Sequence, residues 1–319
     1  MMLTEAPKYS EEEFDLSVRA AWLHYGAGLT QGEVAKRLGV ASLKAHRLIA
    51  RAHRDGLIHF TIDGDISDCL RLEEKLRQRF GVQFCEVCPD LDDEALPLLT
   101  LSIAGSRFLR RSLETGADQV IGFGHGRTLS ASVARLPNMN IGKRKLVSLL
   151  GGLTRRNSAT PYDVIHRLAA RTGAETYVLP LPFYANSVED RAVFLTQRGV
   201  QEVVELGIHS TLRIVGIGTM EYDASTVATG MIEREEFDAA RAAGGLGEVL
   251  GHIFGIDGRV IENGLSARTL SMSAADIGRH KTIALAGGRS KIDAIRAVLA
   301  SGLLHGIIMD ERTARTLTA

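Results

Sequence analysis

Residues 29–58 carry apolar positions at helical spacing in two short runs that a glycine separates. In the second run they recur at i, i+3, i+4 and i+7, which predicts an amphipathic helix over about Ser42–Arg54. In the first run, Thr30 and Glu33 form a capping box that marks a helix start. Gly39 supplies the backbone freedom of a tight turn, so the pattern predicts a helix-turn-helix. The predicted inner positions are Val34, Ala35, Leu38, Ala45, Leu48, Ile49 and Ala52.

The second predicted helix carries basic side chains opposite its apolar stripe, namely Lys44, Arg47, Arg51 and Arg54. A basic helix face of this kind meets phosphates and base edges in the major groove of DNA. Six Lys or Arg and one Asp stand between Lys36 and His59, although the whole chain is formally neutral. The alternative is a solvated charged face, since helix-turn-helix units also occur without DNA. The residues predicted to contact DNA are Thr30, Gln31, Ser42, Leu43, Lys44, His46, Arg47 and Arg51.

Flanking segments complete a winged helix-turn-helix domain predicted over residues 1–62. Before the pair, a first helix is predicted to close a three-helix core through Phe14, Val18, Ala21, Trp22 and Tyr25. After it, the run HFTIDGD at residues 59–65 predicts a short β wing with an Asp-Gly turn. A further amphipathic helix over Ile66–Phe80 is predicted to join the domains. Its leucines are assigned to the core, with a subunit contact as the alternative.

From residue 82 onward, short β-type runs alternate with helical patterns, which is typical of a parallel α/β sheet. The pattern predicts a mostly parallel, three-layer α/β domain over residues 63–319. The predicted strands lie in QFCEVC, DQVIGF, RKLVSLL, ETYVLPLP, LRIVGIG, KTIALA and GIIMD. The predicted helices include PYDVIHRLAART, SVEDRAVFLTQ and KIDAIRAVLAS.

Glycine clusters follow several predicted strands, at residues 122–126, 151–152, 216–218 and 287–288. Ligands of open α/β sheets bind at the carboxyl ends of strands, where helix N-termini offer N–H groups to anions. The clusters therefore predict a small anionic or polyhydroxyl ligand, although glycine also ends strands for steric reasons alone. Arg127 stands where a dinucleotide fingerprint needs its third glycine, and no P-loop occurs. No nucleotide cofactor is expected.

Composition agrees with a protein that keeps its thiols reduced. The three cysteines, Cys69, Cys85 and Cys88, form no disulfide framework. The C-x-x-C pair lies in a predicted buried strand without further metal ligands, so a structural thiol pair is favoured over a redox or metal site. No apolar run reaches 18 residues. We expect a cytoplasmic protein without membrane contact.

Together these motifs resemble the SorC/DeoR family of sugar-binding transcription regulators over nearly the full length. The matching pieces are LTQGEVAKRLGV, HRLIARAHRDGLI, GFGHGRTL, LLGGLT, LPLPF, VGIGTM, GGLGEVLGHIFGIDG, LAGGRSKIDAIRAVL and MDERTA. Within the family, VIHRLAARTGAE and the polar effector motifs most resemble regulators of erythritol or related polyol catabolism. Two positions depart from the family pattern. His125 stands where Trp is common, and Met309-Asp310 replaces a Thr-Asp pair.

The resemblance implies a winged-helix DNA reader joined to an effector domain whose sheet is similar to sugar-phosphate isomerases and deaminases. It also implies a homo-oligomer, a dimer or tetramer, whose affinity for operator DNA a sugar, sugar phosphate or polyol alters. A repressor is the predicted role. The residues that fall on effector motifs are Gly124, Arg127, Thr128, Gly151, Gly152, Glu248 and Lys291. Lys291 suits a phosphate charge and Glu248 suits sugar hydroxyls, although a solvated lysine and a helix-cap glutamate remain alternatives.

Two other functions remain open from the sequence. The first is a sugar-phosphate isomerase or deaminase with an appended DNA-binding module, in which Lys291, Glu248, Asp257 or His252 would perform acid–base work. The second is a constitutive DNA-binding protein whose sheet domain only oligomerises. The sequence holds no compact carboxylate and histidine cluster beyond the needs of a binding pocket. A regulator without catalytic residues, metal or cofactor is therefore favoured.

Overall fold

The computed structural model describes residues 11–58, 67–90, 97–115, 119–153, 163–222, 224, 227, 230–262 and 264–319. The chain divides into two compact units, residues 1–64 and 65–319. The predicted β wing at residues 59–65 and the predicted boundary after residue 62 lie outside the described residues, so both stay predictions. Within the described residues, no helix combines the length and apolar character needed to cross a bilayer.

The first unit is a small helical domain. Its helices are α1 (Glu11–Ala21), which continues as a π-helical turn over Trp22–Gly26, α2 (Gln31–Leu38) and α3 (Ser42–Arg54). The predicted capping box is confirmed: the Thr30 hydroxyl accepts from the Glu33 N–H, and the Thr30 N–H donates to Glu33 at 2.8 Å. Gly39 ends α2 in the left-handed conformation, with φ 66°. The predicted bounds of the second helix are also confirmed.

The structure corrects the inner face predicted for the first helix. Ala21 is buried, but Phe14, Val18, Trp22 and Tyr25 are 41–65% exposed. The face that packs into the unit carries Leu16 and Ala20 of α1 and Leu23 of the π-helical turn instead. Both sets recur at helical spacing, so periodicity alone predicts the helix but not which stripe is buried. The core of the unit also includes Val34, Ala35, Ala45, Leu48, Ile49 and Ala52.

The second unit alternates strands and helices. Its strands are β1 (Phe84–Cys88), β2 (Val120–Phe123), β3 (Lys145–Leu153), β4 (Glu175–Pro182), β5 (Leu212–Gly216), β6 (Gly218–Thr219), β7 (Gly247–Val249), β8 (His252–Phe254), β9 (Lys281–Leu285) and β10 (Gly306–Asp310). Its helices are α4 (Ser67–Phe80), α5 (Leu98–Thr115), α6 (Arg127–Ala134), α7 (Ile165–Thr172), α8 (Val188–Thr196), α9 (Arg198–Ile208), α10 (Arg234–Ala242), α11 (Ala274–Ile277), α12 (Ile292–Ala300) and α13 (Glu311–Thr318).

Seven of these strands form a parallel sheet in the order β1-β10-β9-β5-β2-β3-β4. Neighbouring residues on a strand point to opposite faces. Thus Leu146 joins an apolar cluster with α5, α6 and α7, whereas Val147 joins one with α4, α12 and α13. The predicted three-layer, mostly parallel sheet is therefore confirmed, with a helical layer on each face.

The predicted parallel strands are all present, but a small antiparallel sheet was missed. Strands β6, β7 and β8 form it, and each spans only two or three residues. Runs this short carry too little alternation for a periodicity argument.

Cys85 and Cys88 lie on β1 as free, buried thiols, and burial raises the pKa of each to about 12.

Candidate functional site: a pocket at the centre of the sheet

The strand order locates a crevice between β2 and β5. From β2 the chain adds β3 and β4 on one side, and it later returns to add β5, β9 and β10 on the other side. At such a reversal the loops after adjacent strands diverge and leave a crevice at their carboxyl ends. The two loops concerned carry the glycine clusters at residues 124–126 and 216–218.

A pocket occupies this crevice and measures about 550 Å³ when the space open to solvent is included. One wall is the loop after β2 with the first residues of α6. The loop after β5, the β7–β8 hairpin and the turn before α12 also contribute to the lining. The residues that line the pocket include Gly124, His125, Arg127, Thr128, Glu248 and Lys291.

The cationic part of the pocket combines Lys291, Arg127 and the N-terminus of α6. The Lys291 ammonium group donates to the Ile217 carbonyl oxygen at 2.7 Å, which holds it beside the loop after β5. Helix α6 starts directly after Gly126, whose φ is 131°. The unpaired N–H groups of a helix N-terminus attract anions. This side of the pocket is therefore suited to a phosphate or carboxylate group.

The Gly287-Gly288 cluster positions Lys291 through a buried network. The Gly288 N–H donates to the Asp310 carboxylate at 3.0 Å and to the Thr313 hydroxyl at 2.8 Å. A Cβ at Gly287 would lie 2.1 Å from the same carboxylate, so only glycine fits there. Asp310 also caps α13 through the Thr313 N–H at 2.9 Å. This glycine pair thus fixes the turn before α12 and does not itself line the pocket.

Glu248 provides the acidic group of the pocket. Its carboxylate accepts a hydrogen bond from the Gly251 N–H and lies against Gly218, where a Cβ would be 2.5 Å from it. Burial raises the pKa of Glu248 to about 7, although the Gly251 bond and the charge of Lys291 act in the opposite direction. Near neutral pH the group is therefore present both as an acceptor and as a donor.

The hairpin that carries Glu248 turns through an unusual residue. Leu250 has φ 51°, the one positive value among described residues other than glycine. With Gly251 at φ 86° it forms the two-residue connection of β7 and β8. Conformations of this kind cost about 1–3 kcal/mol and occur preferentially at functional sites. Leu250 lines the pocket opposite Gly124, where an added Cβ would lie 3.2 Å from its side chain.

His125 contributes a neutral imidazole. Its ring lies 5.2 Å from the Phe183 ring, centroid to centroid. Burial lowers the pKa of His125 to about 4, so the ring carries no charge at neutral pH. A neutral imidazole offers one donor and one acceptor, which suits the hydroxyl groups of a polyol.

The structure brings five of the predicted effector residues to the pocket: Gly124, Arg127, Thr128, Glu248 and Lys291. Gly151 and Gly152 are not among its lining residues. The Gly151 N–H donates to the Leu270 carbonyl oxygen at 3.0 Å, and a Cβ there would lie 2.1 Å from the Pro182 carbonyl oxygen. Gly151 is therefore required by strand packing, and its predicted role as an N–H donor to the ligand is corrected. The sequence singled out His125 only as a departure from the family pattern, and it did not include Leu250 in the site.

The basic helix face of the first unit is exposed as predicted, with one correction. Ser42, Lys44, His46 and Arg47 are exposed on α3, as is Leu43, which is 61% exposed. Gln31 on α2 is linked to His46 at 3.1 Å, so residues of both helices meet at this surface. The remaining predicted contact, Thr30, uses its hydroxyl in the helix cap.

Arg51 does not belong to the exposed face. It is 7% exposed and forms ion pairs with Glu13 and Asp55, each at 3.3 Å. Its side chain reaches Glu13 on α1 as well as Asp55, which directly follows α3. Its guanidinium group is therefore committed to the interior of the unit, and the prediction that it faces DNA is corrected.

Comparison with known proteins identifies the family. Residues 64–319 match the family described as "Putative sugar-binding domain". The chain is 51% identical over 308 residues to the erythritol catabolism regulatory protein EryD of Brucella abortus, covering 97% of this chain and 98% of that protein. It is 30% identical to the transcriptional regulator LsrR of Enterobacter, covering 96% and 94% of the two chains.

A solved structure agrees with the sequence relatives. The full-length sorbitol operon regulator SorC of Klebsiella pneumoniae superposes with a TM-score of 0.74 and 25% identity, covering 98% of this chain and 100% of that one. These relatives are transcriptional regulators, in agreement with the prediction of a regulator over an enzyme. The chain belongs to the SorC/DeoR-type family of sugar-binding transcriptional regulators.

Proposed function

We propose that the chain represses a polyol or sugar catabolic operon and that a polyol, or its phosphate, bound in the pocket sets its affinity for operator DNA. The observation that carries the proposal is the meeting of Lys291, Arg127, Glu248 and His125 in one pocket. The relative with 51% identity is named for erythritol catabolism, which favours a short polyol chain.

The chemistry of the pocket supports a ligand with both an anionic and a hydroxyl-bearing part. Lys291 and the N-terminus of α6 are suited to bind a phosphate, since charge-assisted hydrogen bonds are stronger than neutral ones. Glu248 and the neutral His125 offer acceptors and donors to hydroxyl groups. Leu250 and Leu150 form apolar parts of the lining, which suit the carbon chain.

The DNA contacts that we propose are those on the exposed side of α3 and at its junction with α2. Arg47 and Lys44 supply charge, and Leu43 supplies an exposed apolar group of the kind that packs against thymine methyl groups. The other proposed contacts are Gln31, Ser42 and His46. Operator DNA lies in the bacterial cytoplasm, so we also propose that location.

Ligand control requires that the ligand bind one arrangement of a homo-oligomer, a dimer or tetramer, more tightly than another. Paired DNA-binding units fit half-sites only at whole helical turns of DNA, so a change of their spacing changes operator affinity. A ligand with equal affinity for both arrangements would have no effect. We propose that the ligand favours the arrangement with the lower affinity for operator DNA, so that ligand binding releases the protein from the operator.

Calorimetric titration of the full-length protein tests the ligand assignment, with erythritol, other polyols and sugars in one series and their phosphates in another. We expect Lys291→Met to weaken binding of the phosphorylated ligand by roughly tenfold or more, because a charge-assisted hydrogen bond contributes about 1.5–3 kcal/mol. Arg289→Met is the matched control, since Arg289 is exposed and outside the pocket lining. Equal affinities for the two variants, or no binding in either series, would contradict the proposal.

A further inference from the structure

An apolar ridge lies on the outside of the first helix of the DNA-binding unit. Phe14, Val18 and Trp22 are 44%, 41% and 65% exposed, and they follow one another at intervals of four residues. Side chains at i and i+4 are neighbours on a helix surface, so the three form one continuous ridge. Contiguous exposed apolar surface is characteristic of interaction sites.

We propose that this ridge pairs with the same ridge of a second copy, with the two α1 helices antiparallel about a two-fold axis near Val18. In that arrangement Val18 meets Val18 of the second copy, and Phe14 meets Trp22. Two-fold interfaces between identical chains are self-complementary in this way. The inference concerns the DNA-binding unit and is independent of the ligand proposed above.

The charges beside the ridge support a second copy in this orientation. Asp15 and Arg19 each directly follow a ridge residue, so both lie on the same flank, and both are exposed. With the axis near Val18, Asp15 of one copy and Arg19 of the other fall about 3 Å apart along the helix direction, since the rise is about 1.5 Å per residue. The antiparallel pair therefore brings opposite charges together twice. A parallel two-fold pair would place this flank of the two copies on opposite sides of the interface, so Asp15 and Arg19 would not meet.

Pairing along α1 leaves the DNA surface uncovered. The ridge residues are on α1 and at the start of the π-helical turn that continues it, whereas the exposed basic residues Lys44 and Arg47 are on α3. The inner face of α1, with Ala20, packs in the core cluster that also holds Leu48 and Ile49 of α3. A pair joined through α1 thus presents two basic helices, as an operator with two half-sites requires.

Cysteine cross-linking of the full-length protein tests the arrangement, because the native Cys69, Cys85 and Cys88 are buried. Under mild oxidation we expect Val18→Cys to form disulfide-linked dimers several-fold more than Glu12→Cys. Glu12 is the matched control, since it is exposed on the same helix but off the ridge. Phe14→Cys should not link to itself, since antiparallel pairing separates the two copies of that residue by about 12 Å along the axis.

Two further measurements exclude other occupants of the ridge. Asp15→Arg in the Val18→Cys protein should reduce cross-linking, and adding Arg19→Asp should restore it.

Trp22 is the single tryptophan of the chain, so its fluorescence reports burial of the ridge directly. Blue-shifted, quencher-protected emission together with cross-linking supports the proposal. Protected emission without cross-linking would mean that the same chain covers the ridge, and red, readily quenched emission would mean that nothing does. Either result would overturn the proposal.

Discussion

Arg47 and Arg51 stand one helical turn apart on α3 yet have different surroundings. Arg47 is exposed, whereas Arg51 is held by Glu13 and Asp55. We expect Arg47→Ala to weaken operator binding by about 1–3 kcal/mol if it reads a base, with the unfolding midpoint unchanged. Arg51→Ala should instead lower the unfolding midpoint of the first unit, because it removes a buried side chain together with its ion pairs to Glu13 and Asp55. Mobility-shift titrations and thermal melts of both variants check this, and the reverse pattern would contradict the assignment of Arg51 to the interior of the unit.

Glu248 makes the stability of the second unit depend on pH. Its pKa is about 7 in the folded protein against 4.5 in the unfolded chain. Between these values the folded state holds the proton and the unfolded state does not, so stability falls as pH rises from about 4.5 to 7. Glu248→Gln keeps an acceptor for the Gly251 N–H, and it removes the loss of stability at high pH because the amide does not ionise. We therefore expect the variant to gain about 2–3 kcal/mol relative to wild type at pH 8.

At pH 4 the same variant should gain little, because the carboxyl group is then protonated in both states. Urea unfolding of wild type and Glu248→Gln at the two pH values measures the difference. An equal stability difference at pH 4 and pH 8 would rule out a strongly raised pKa. The variant should also bind the ligand less well at pH 8, since an amide accepts hydrogen bonds from hydroxyl groups less strongly than a carboxylate.

The sequence predicted correctly that some polar residues line the pocket, but it did not predict which polar groups are already used in contacts within the protein. Lys291 and Glu248 were assigned to the pocket and lie in its lining. Gly151 and Arg51 were misplaced because each uses its polar groups in a contact with a distant part of the chain. Contacts of that kind leave no local signal in the sequence.

Among the elements, the parallel strands followed from their apolar runs, and the β7–β8 hairpin did not. Its strands have three residues each, and its turn places Leu250 where glycine is usual. Helix α1 was predicted, but not its orientation, because two stripes share the same period. Periodicity therefore identifies an element more readily than the side that it buries.

One buried side chain joins the ends of two helices. Arg213 on β5 is fully buried and donates to the Ile208 carbonyl oxygen at 2.6 Å and to the Ile277 carbonyl oxygen at 3.1 Å. These carbonyls lie at the C-termini of α9 and α11, where they have no partner within the helix. We expect Arg213→Met to lower the free energy of unfolding by about 2–4 kcal/mol, because it leaves several buried acceptors unsatisfied.

The unfolding midpoint in urea, followed by circular dichroism, measures this effect. Arg198→Met is the control, since that side chain is 93% exposed and its ion pair with Glu202 lies on the surface. Exposed pairs contribute about 0–1 kcal/mol, so the control should be nearly neutral. A loss from Arg213→Met no larger than that of the control would show that water replaces the guanidinium group.

The whole molecule joins a DNA-binding unit to a sheet domain with a ligand pocket. We propose that the two sites are coupled. Coupling of this kind is reciprocal: if the ligand weakens operator binding by some factor, the operator must weaken ligand binding by the same factor. Typical coupling free energies are about 1–3 kcal/mol, or roughly 5–150-fold.

The direct measurement is operator affinity by fluorescence anisotropy, with and without a saturating ligand found by calorimetry, for the wild type and for Lys291→Met. We predict that the ligand weakens operator binding by roughly fivefold or more in the wild type. For Lys291→Met, the ligand concentration that gives half of this effect should be roughly tenfold higher or more, whereas its operator affinity without ligand should equal that of the wild type. Operator affinity that stays constant when the wild-type pocket is saturated would contradict coupling between the two sites.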